Sequence, residues 1–226
     1  MNALRRPHDD FVFSTGRLFI LCKSPIPPCS FAELESPVMG FLREFIASPT
    51  ITGSITPSSR HLARKIVEGL DLRNADTVLE YGPGTGVFTE YVLRELRPEA
   101  KFAAIELNPH FAETFKRRYP NVLLFEDSVA NVEGLCKRAG LQSVDCVISG
   151  LPWATFPESL QVECLDAMMR VLKPGGRFAT FSYVHSLALT NSRRFANRLP
   201  KYFKTVLKSP VVWLNVPPAF VYRCRK

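Results

Sequence analysis

Two rhythms of apolar residues alternate along this chain. Short runs rich in Val, Ile, Phe and Tyr occur at Thr77–Tyr81, Phe102–Glu106, Val122–Phe125, Val144–Ser149, Arg177–Tyr183, Thr205–Leu207 with Val211–Leu214, and Ala219–Cys224. Most are bounded by Gly, Pro, Asn or Asp, the residues that stop strands. Between them lie stretches whose apolar residues recur three and four positions apart, the period of a helix with one buried face. Strands interleaved with helices predict an α/β fold, a mostly parallel sheet covered on both sides. The last two runs flank Pro217-Pro218 and leave no room for a crossover helix, so they are expected to form an antiparallel hairpin.

Ahead of the first strand the pattern is helical. Pro57-Ser58-Ser59 reads as a cap for a helix with Leu62, Ile66, Val67 and Leu70 on one face, ending at Gly69-Leu70-Asp71. Further upstream, Pro37 opens a stripe of Val38, Phe41, Leu42, Phe45 and Ile46, predicting an amphipathic helix over residues 37–48. That face suits core packing, and equally an interfacial helix lying on a membrane. Residues 1–36 contain Pro25, Pro27 and Pro28 without periodicity and read as an irregular extension to a domain spanning 37–226.

The strongest chemical signal follows the first strand. Glu80-Tyr-Gly82-Pro-Gly84-Thr-Gly86 joins a buried strand to a helix through a turn whose glycines let the backbone approach a ligand closely. The spacing departs from the dinucleotide fingerprint, because Val87 follows Gly86, and fits the turn of S-adenosylmethionine-dependent methyltransferases better. The second strand ends in Glu106, where a carboxylate can accept from both ribose hydroxyls of an adenosine ligand. The third leads to Asp127, a candidate acceptor for an adenine amino group and equally a capping acid. All three sit where strands of an open α/β sheet end, so they support one another. The fold class expected is therefore the Rossmann-like class I methyltransferase, with seven strands.

Charge adds an asymmetry. The formal net charge is +8, yet the last acidic residue is Asp166, and the 60 positions after it carry 12 Lys and Arg. Such a tail suits an anionic partner, nucleic acid phosphate or lipid head groups. Within it, Arg193-Arg194-Phe195 through Lys204 interleaves bases with aromatic residues, a composition that fits either partner. The six cysteines form no CxxC pair and meet no His cluster, so neither a metal site nor a disulfide framework is expected, and reduced thiols are. No apolar run reaches the roughly 18–20 residues of a membrane span, and Asp9 and Asp10 argue against a signal peptide.

From about Phe41 onward the chain resembles the bacterial phospholipid N-methyltransferases that act on phosphatidylethanolamine, and the related ornithine-lipid N-methyltransferases. The resemblance rests on Ile55–Ala63, Leu79–Val87, Ile105–Pro109, Val147–Pro152, Leu172–Gly176 with Phe181–Tyr183, and Leu214–Ala219. The glycine turn and Leu-Lys-Pro-Gly-Gly are general to methyltransferases, whereas Ser149-Gly150-Leu151-Pro152 and Asn215-Val-Pro-Pro218 discriminate. More remotely the family is similar to the adenine-N6 dimethyltransferases of ribosomal RNA. Those carry an Asn-Leu-Pro-aromatic segment whose asparagine holds the target amine. Gly150 stands in that place here, which disfavours nucleic acid.

The resemblance implies S-adenosyl-L-methionine as cofactor, held by Glu80, Gly82, Gly84, Gly86, Glu106 and Asp127, with Ser58 and Ser59 near its amino-acid end. It implies a membrane aminolipid as substrate and a cytoplasmic enzyme peripheral to the inner face of the membrane, docking through residues 38–47 and 193–208. No protein partner is inferred. An aliphatic amine of pKa about 10 attacks only when neutral. The Ser149 hydroxyl, the Gly150 or Leu151 carbonyl, or the Tyr183 phenol could orient it. Trp153, Phe156, Phe181 and Tyr183 are candidates to face a methylated ammonium, or to pack under the rim, and His185 reads as a rim residue. The competing expectations are an RNA adenine dimethyltransferase and a non-catalytic membrane-binding module that keeps the fold.

Overall fold

A computed structural model of the chain describes residues 58–226; the helix expected over 37–48 and the extension 1–36 lie outside the described residues. The first described helix, α1 (Arg60–Val67), begins at Ser59, whose Oγ accepts from the Leu62 amide at 3.2 Å, as the serine pair predicts. Leu62, Ala63 and Ile66 on its inner face are fully buried. Each buried Leu or Ile of this kind stabilises by roughly 1.5–3 kcal/mol.

From there the chain alternates: β1 (Thr77–Tyr81), α2 (Val87–Glu95), β2 (Lys101–Ile105), α3 (Pro109–Arg118), β3 (Leu123–Phe125), α4 (Val132–Arg138), β4 (Val144–Ser149), α5 (Glu158–Val171), β5 (Leu172–Tyr183), α6 (Thr190–Tyr202), β6 (Thr205–Lys208) and β7 (Ala219–Arg225). Seven strands form one sheet in the order β3-β2-β1-β4-β5-β7-β6. The first five are parallel, while β7 runs antiparallel to both β5 and β6, the expected closing hairpin. β1 and β4 are buried along their whole length, which is why their sequences are mostly apolar rather than alternating. The buried Asp145 carboxylate of β4 accepts from the Asp76 and Thr77 amides at 3.0 and 2.8 Å and pairs with Lys173, pinning the start of β1 to its neighbour.

Two strand expectations need correction. The run Val211–Leu214 is no strand: only Val212 bridges to Ala219, and Pro210, Pro217 and Pro218 bracket a loop that leaves Trp213 71% and Leu214 68% exposed. The fifth strand begins at Leu172, five residues early, because Leu172 pairs with Val144 before a bulge that returns to register at Arg177.

Two apolar layers cover the sheet. On one face α1 and α2 pack Leu62, Ile66, Phe88 and Val92 against Val78, Cys146 and Ile148. On the other, α4, α5 and α6 bury Leu135, Leu165, Phe195 and Leu199 against Leu79, Val147 and Phe178. Among the described residues no helix is long and apolar enough to cross a membrane. Cys136, Cys146, Cys164 and Cys224 are free and buried, and burial pushes their thiols up to about 11 for Cys136 and about 12 for the others.

Candidate active site

Register aligns the strand ends. Phe125 pairs with Ile105, Ile105 with Tyr81, Tyr81 with Ser149 and Ser149 with Thr180, one row across five strands. The residues that follow each strand therefore emerge side by side at the carboxyl edge, bringing together Gly82, Glu106, Asp127 and Gly150. Further bonds extend the ladder past the row, from the Gly82 amide to the Ile105 carbonyl at 2.8 Å, Glu106 to Phe125 at 2.9 Å and Gly150 to Tyr81 at 2.8 Å.

The turn after β1 holds Gly82, Gly84 and Gly86 at φ of 63°, 56° and 79°, a backbone that other residues rarely adopt. At Gly84 an added Cβ would meet nothing within 4 Å, so the turn opens to free space. Gly82, at the start of the turn, borders a cleft lined by Glu106, Asp127 and Ser128, with Ile105, Val129, Leu151 and Phe156 as apolar walls. Acceptors grouped over apolar walls and a side-chain-free turn fit an adenosine-bearing ligand.

Glu106 is nearly buried. Its Oε2 accepts from the Gly84 amide at 3.1 Å and its Oε1 from the Asn108 amide at 2.9 Å; burial raises its pKa against those bonds. Beneath it, Glu80 accepts from the Thr89 hydroxyl at 2.7 Å, tying β1 to α2, and its Oε1 has no partner. Burial first, helped by the Glu106 charge, pushes Glu80 up to about 8. Asp127 turns Oδ1 to the Ser128 amide at 2.7 Å and to Asn131 at 2.8 Å, the capping geometry weighed for it, while Oδ2 lies 3.9 Å from Arg138.

The segment after β4 is organised by a hydroxyl. Ser149 is fully buried, and its Oγ accepts from the Trp153 indole at 2.9 Å and from the Leu151 amide at 3.2 Å. It folds Gly150-Leu-Pro-Trp153 back over the strand end, and so is committed to the turn rather than to a substrate. The Leu151 carbonyl likewise accepts from the Trp153 amide at 3.0 Å. Trp153 and Phe156 are 1% exposed; Trp153 stacks on Phe195 with ring centroids 4.9 Å apart. Of the two readings for these rings, packing holds for Trp153, while Phe156 also forms cleft wall.

Tyr183 sits elsewhere on the rim. It packs with Phe181 on the α1–α2 side of the sheet, away from the cleft wall. Phe88, Phe181, Tyr183 and His185 make a continuous aromatic row, with centroids 5.8, 5.3 and 5.4 Å apart. His185 is exposed and lies parallel over Tyr183, whose phenol burial raises above its usual pKa. Ser59 caps α1 and donates its amide to Asn215 at 2.8 Å, so Ser58 and Ser59 stand by the loop before β7.

Sequence reasoning missed Asn215. It is 2% exposed, receives the Ser59 amide and donates to the Pro217 carbonyl at 2.6 Å, fixing that loop at the site's rim. Its place in the discriminating Asn-Val-Pro-Pro stretch was the available signal. The basic tail also changes character. Phe195 and Phe203 face the core, and Arg194 and Arg198 pair with Glu158 of α5. The interleaving is thus an amphipathic helix that runs from the carboxyl edge to the opposite one, about 20 Å at 1.5 Å per residue. Residues 193–208 do not form one basic surface at the rim.

Comparison with known proteins agrees with this geometry. Residues 78–176 match a methyltransferase domain family. An ornithine lipid N-methyltransferase of Singulisphaera acidiphila is 30% identical over 188 residues, covering 82% of this chain and 94% of that protein. A ribosomal RNA small subunit methyltransferase A of a Hydrogenobaculum species is 32% identical, but over 75 residues, 33% of this chain and 29% of its own. Among solved structures, the O-methyltransferase TomG of Streptomyces achromogenes, in complex with S-adenosylmethionine, superposes with a TM-score of 0.60 at 18% identity, covering 87% and 93% of the two chains.

Proposed function

Because the chain belongs to the bacterial phospholipid and ornithine-lipid N-methyltransferase family of S-adenosylmethionine-dependent methyltransferases, we propose that it methylates the primary amine of a membrane aminolipid. Phosphatidylethanolamine and an ornithine lipid are the two head groups that fit, with successive methylation of the same nitrogen.

The observation that carries a lipid amine over an RNA adenine is Gly150. Ribosomal RNA relatives match about a third of this chain, and a Cβ at position 150 would lie 2.5 Å from the Gly82 carbonyl oxygen. No side-chain amide can be presented from there, so a planar adenine amine has no partner at the position where the dimethyltransferases supply one. An aliphatic amine needs only an acceptor for its N–H bonds and a dry surrounding that disfavours its charged form.

S-Adenosylmethionine supplies a methyl group already activated as a sulfonium. The chain's task is then to hold and align. Glu106 and Asp127 are assigned to the ribose hydroxyls and the adenine amino group, and the glycine turn receives the ligand backbone to backbone. Glu80, whose pKa burial pushes up to about 8, keeps α2 on β1 beneath that turn. Ser58 and Ser59 are assigned to the amino-acid end, Ser59 through its cap. The Gly150 carbonyl and the Tyr183 phenol accept from the substrate amine and aim its lone pair; Phe181 and Tyr183 offer ring faces to the methylated product, at roughly 0.5–2 kcal/mol each. Ser149 positions Gly150 through the Trp153 bond.

Purified protein given isotopically labelled S-adenosylmethionine with either aminolipid vesicles or ribosomal RNA tests this directly. Label is expected in the lipid fraction. Label confined to RNA would replace the proposal, and no binding of the cofactor in calorimetry would favour a non-catalytic module.

A further inference from the structure

Among the described residues seven large apolar side chains are exposed, and five of them gather at one edge. Leu187 and Leu189, 37% and 46% exposed, follow the carboxyl end of β5; Trp213, Leu214 and Val216, 71%, 68% and 75% exposed, lie in the loop before β7. The two groups are joined, because the Val184 amide donates to the Pro218 carbonyl at 2.9 Å and Tyr183 pairs with Ala219. They flank Tyr183. This is the same edge on which the glycine turn and Glu106 open.

From this we infer that Leu187, Leu189, Trp213, Leu214 and Val216 form a wedge that enters the surface of an anionic lipid bilayer, seating the mouth of the site on the membrane. The inference rests on the aminolipid reading and deepens it, since an amine embedded in head groups is reached only by a site that opens at the bilayer. Monomeric proteins seldom expose apolar side chains in such a group without a partner, and a tryptophan on a loop suits the interfacial layer. Rigidity supports it: the loop is tied at its base by buried Asn215 to the Ser59 amide and to the Pro217 carbonyl, so Trp213 and Val216 are held outward rather than folded in. Charge supports the choice of partner. Arg193 is exposed and donates to the Leu187 carbonyl at 3.1 Å, and Arg60 is exposed beside Ser59, so bases border the wedge on both sides.

Trp213 makes the test direct. The other tryptophan, Trp153, is 1% exposed and serves as a constant background. The full chain is mixed with vesicles of phosphatidylethanolamine and phosphatidylglycerol while tryptophan emission, acrylamide quenching and co-sedimentation are followed. Emission is expected to shift to the blue and quenching to fall on vesicles. The double variant Trp213→Ser, Leu214→Ser is expected to lose the shift and about tenfold or more in vesicle affinity, while methylating aminolipid dispersed in detergent at the parental rate. Emission unchanged by vesicles overturns the wedge. So does a tryptophan already blue and shielded before vesicles are added, since residues 1–57 or a second copy of the chain would then cover the patch. The detergent assay keeps the readings apart: methylation without a vesicle shift removes the wedge alone, and a shift without methylation of any aminolipid removes the substrate reading alone.

Discussion

The carbonyl oxygen of Gly82 lies 2.5 Å from where a Cβ on Gly150 would stand, so the turns that leave β1 and β4 touch backbone to backbone. That contact is what makes glycine a requirement at 150. Gly150→Ala should cost about 1–3 kcal/mol of stability, because the atom it meets is backbone and cannot step aside. Gly150→Asn, which restores the residue of the RNA dimethyltransferases, should lower lipid methylation and gain no RNA activity. Thermal unfolding and the labelled-transfer assay check both; a stable Asn variant that methylates RNA would refute the argument from this position.

Ser149 and Trp153 form the second test. Ser149→Ala leaves the buried indole N–H, now bonded at 2.9 Å, without its acceptor, and should cost about 1–3 kcal/mol. If the hydroxyl only positions the turn, Ser149→Thr should restore much of the activity, whereas Trp153→Phe, which removes the donor as well, should depress it less than the alanine variant. Loss of activity confined to the alanine variant, with its stability unchanged, would instead put the Ser149 oxygen on the substrate.

Cofactor binding should separate from substrate binding. Glu106→Ala is expected to weaken S-adenosylmethionine by about tenfold or more in calorimetry, the scale of a charge-assisted hydrogen bond of about 1.5–3 kcal/mol. Tyr183→Phe, by contrast, should leave cofactor affinity unchanged and lower the transfer rate. A Tyr183 variant that loses cofactor affinity would move that residue into the cofactor site.

Glu80 predicts a pH dependence. Unfolded, it titrates in the ordinary carboxylate range; folded, at about 8. Between those values the folded chain holds a proton the unfolded chain has lost, so stability falls as pH rises through this window and levels off above about 8. Glu106, shifted in the same direction, adds to the slope. Glu80→Gln should therefore flatten the fall in melting temperature between about pH 5 and pH 8. A parallel curve for the variant would mean that Glu80 is charged throughout.

Much of this was legible in the sequence where one physical cause dominates. The bounds of β1 and β4 were readable to the residue because fully buried strands are mostly apolar and closed by turn residues. Glu106 and Asp127 were readable because strand ends in a parallel sheet converge. What escaped depended on which side chains meet in the folded chain. Nothing local says that the Ser149 hydroxyl is taken by an indole four residues on, or that Phe195 and Phe203 turn inward while their basic neighbours turn out. Val211–Leu214 has strand-forming residues and no strand, because its prolines and the anchor at Asn215 decide, and that anchor is 156 residues away at Ser59.

The most direct measurement is mass spectrometry of total lipids from cells expressing the chain beside cells expressing Glu106→Ala. The account predicts one aminolipid class gaining methyl groups stepwise on its head-group nitrogen, absent in the variant. Unaltered lipids in both, with new dimethyladenosine in ribosomal RNA from the parental cells alone, would contradict it.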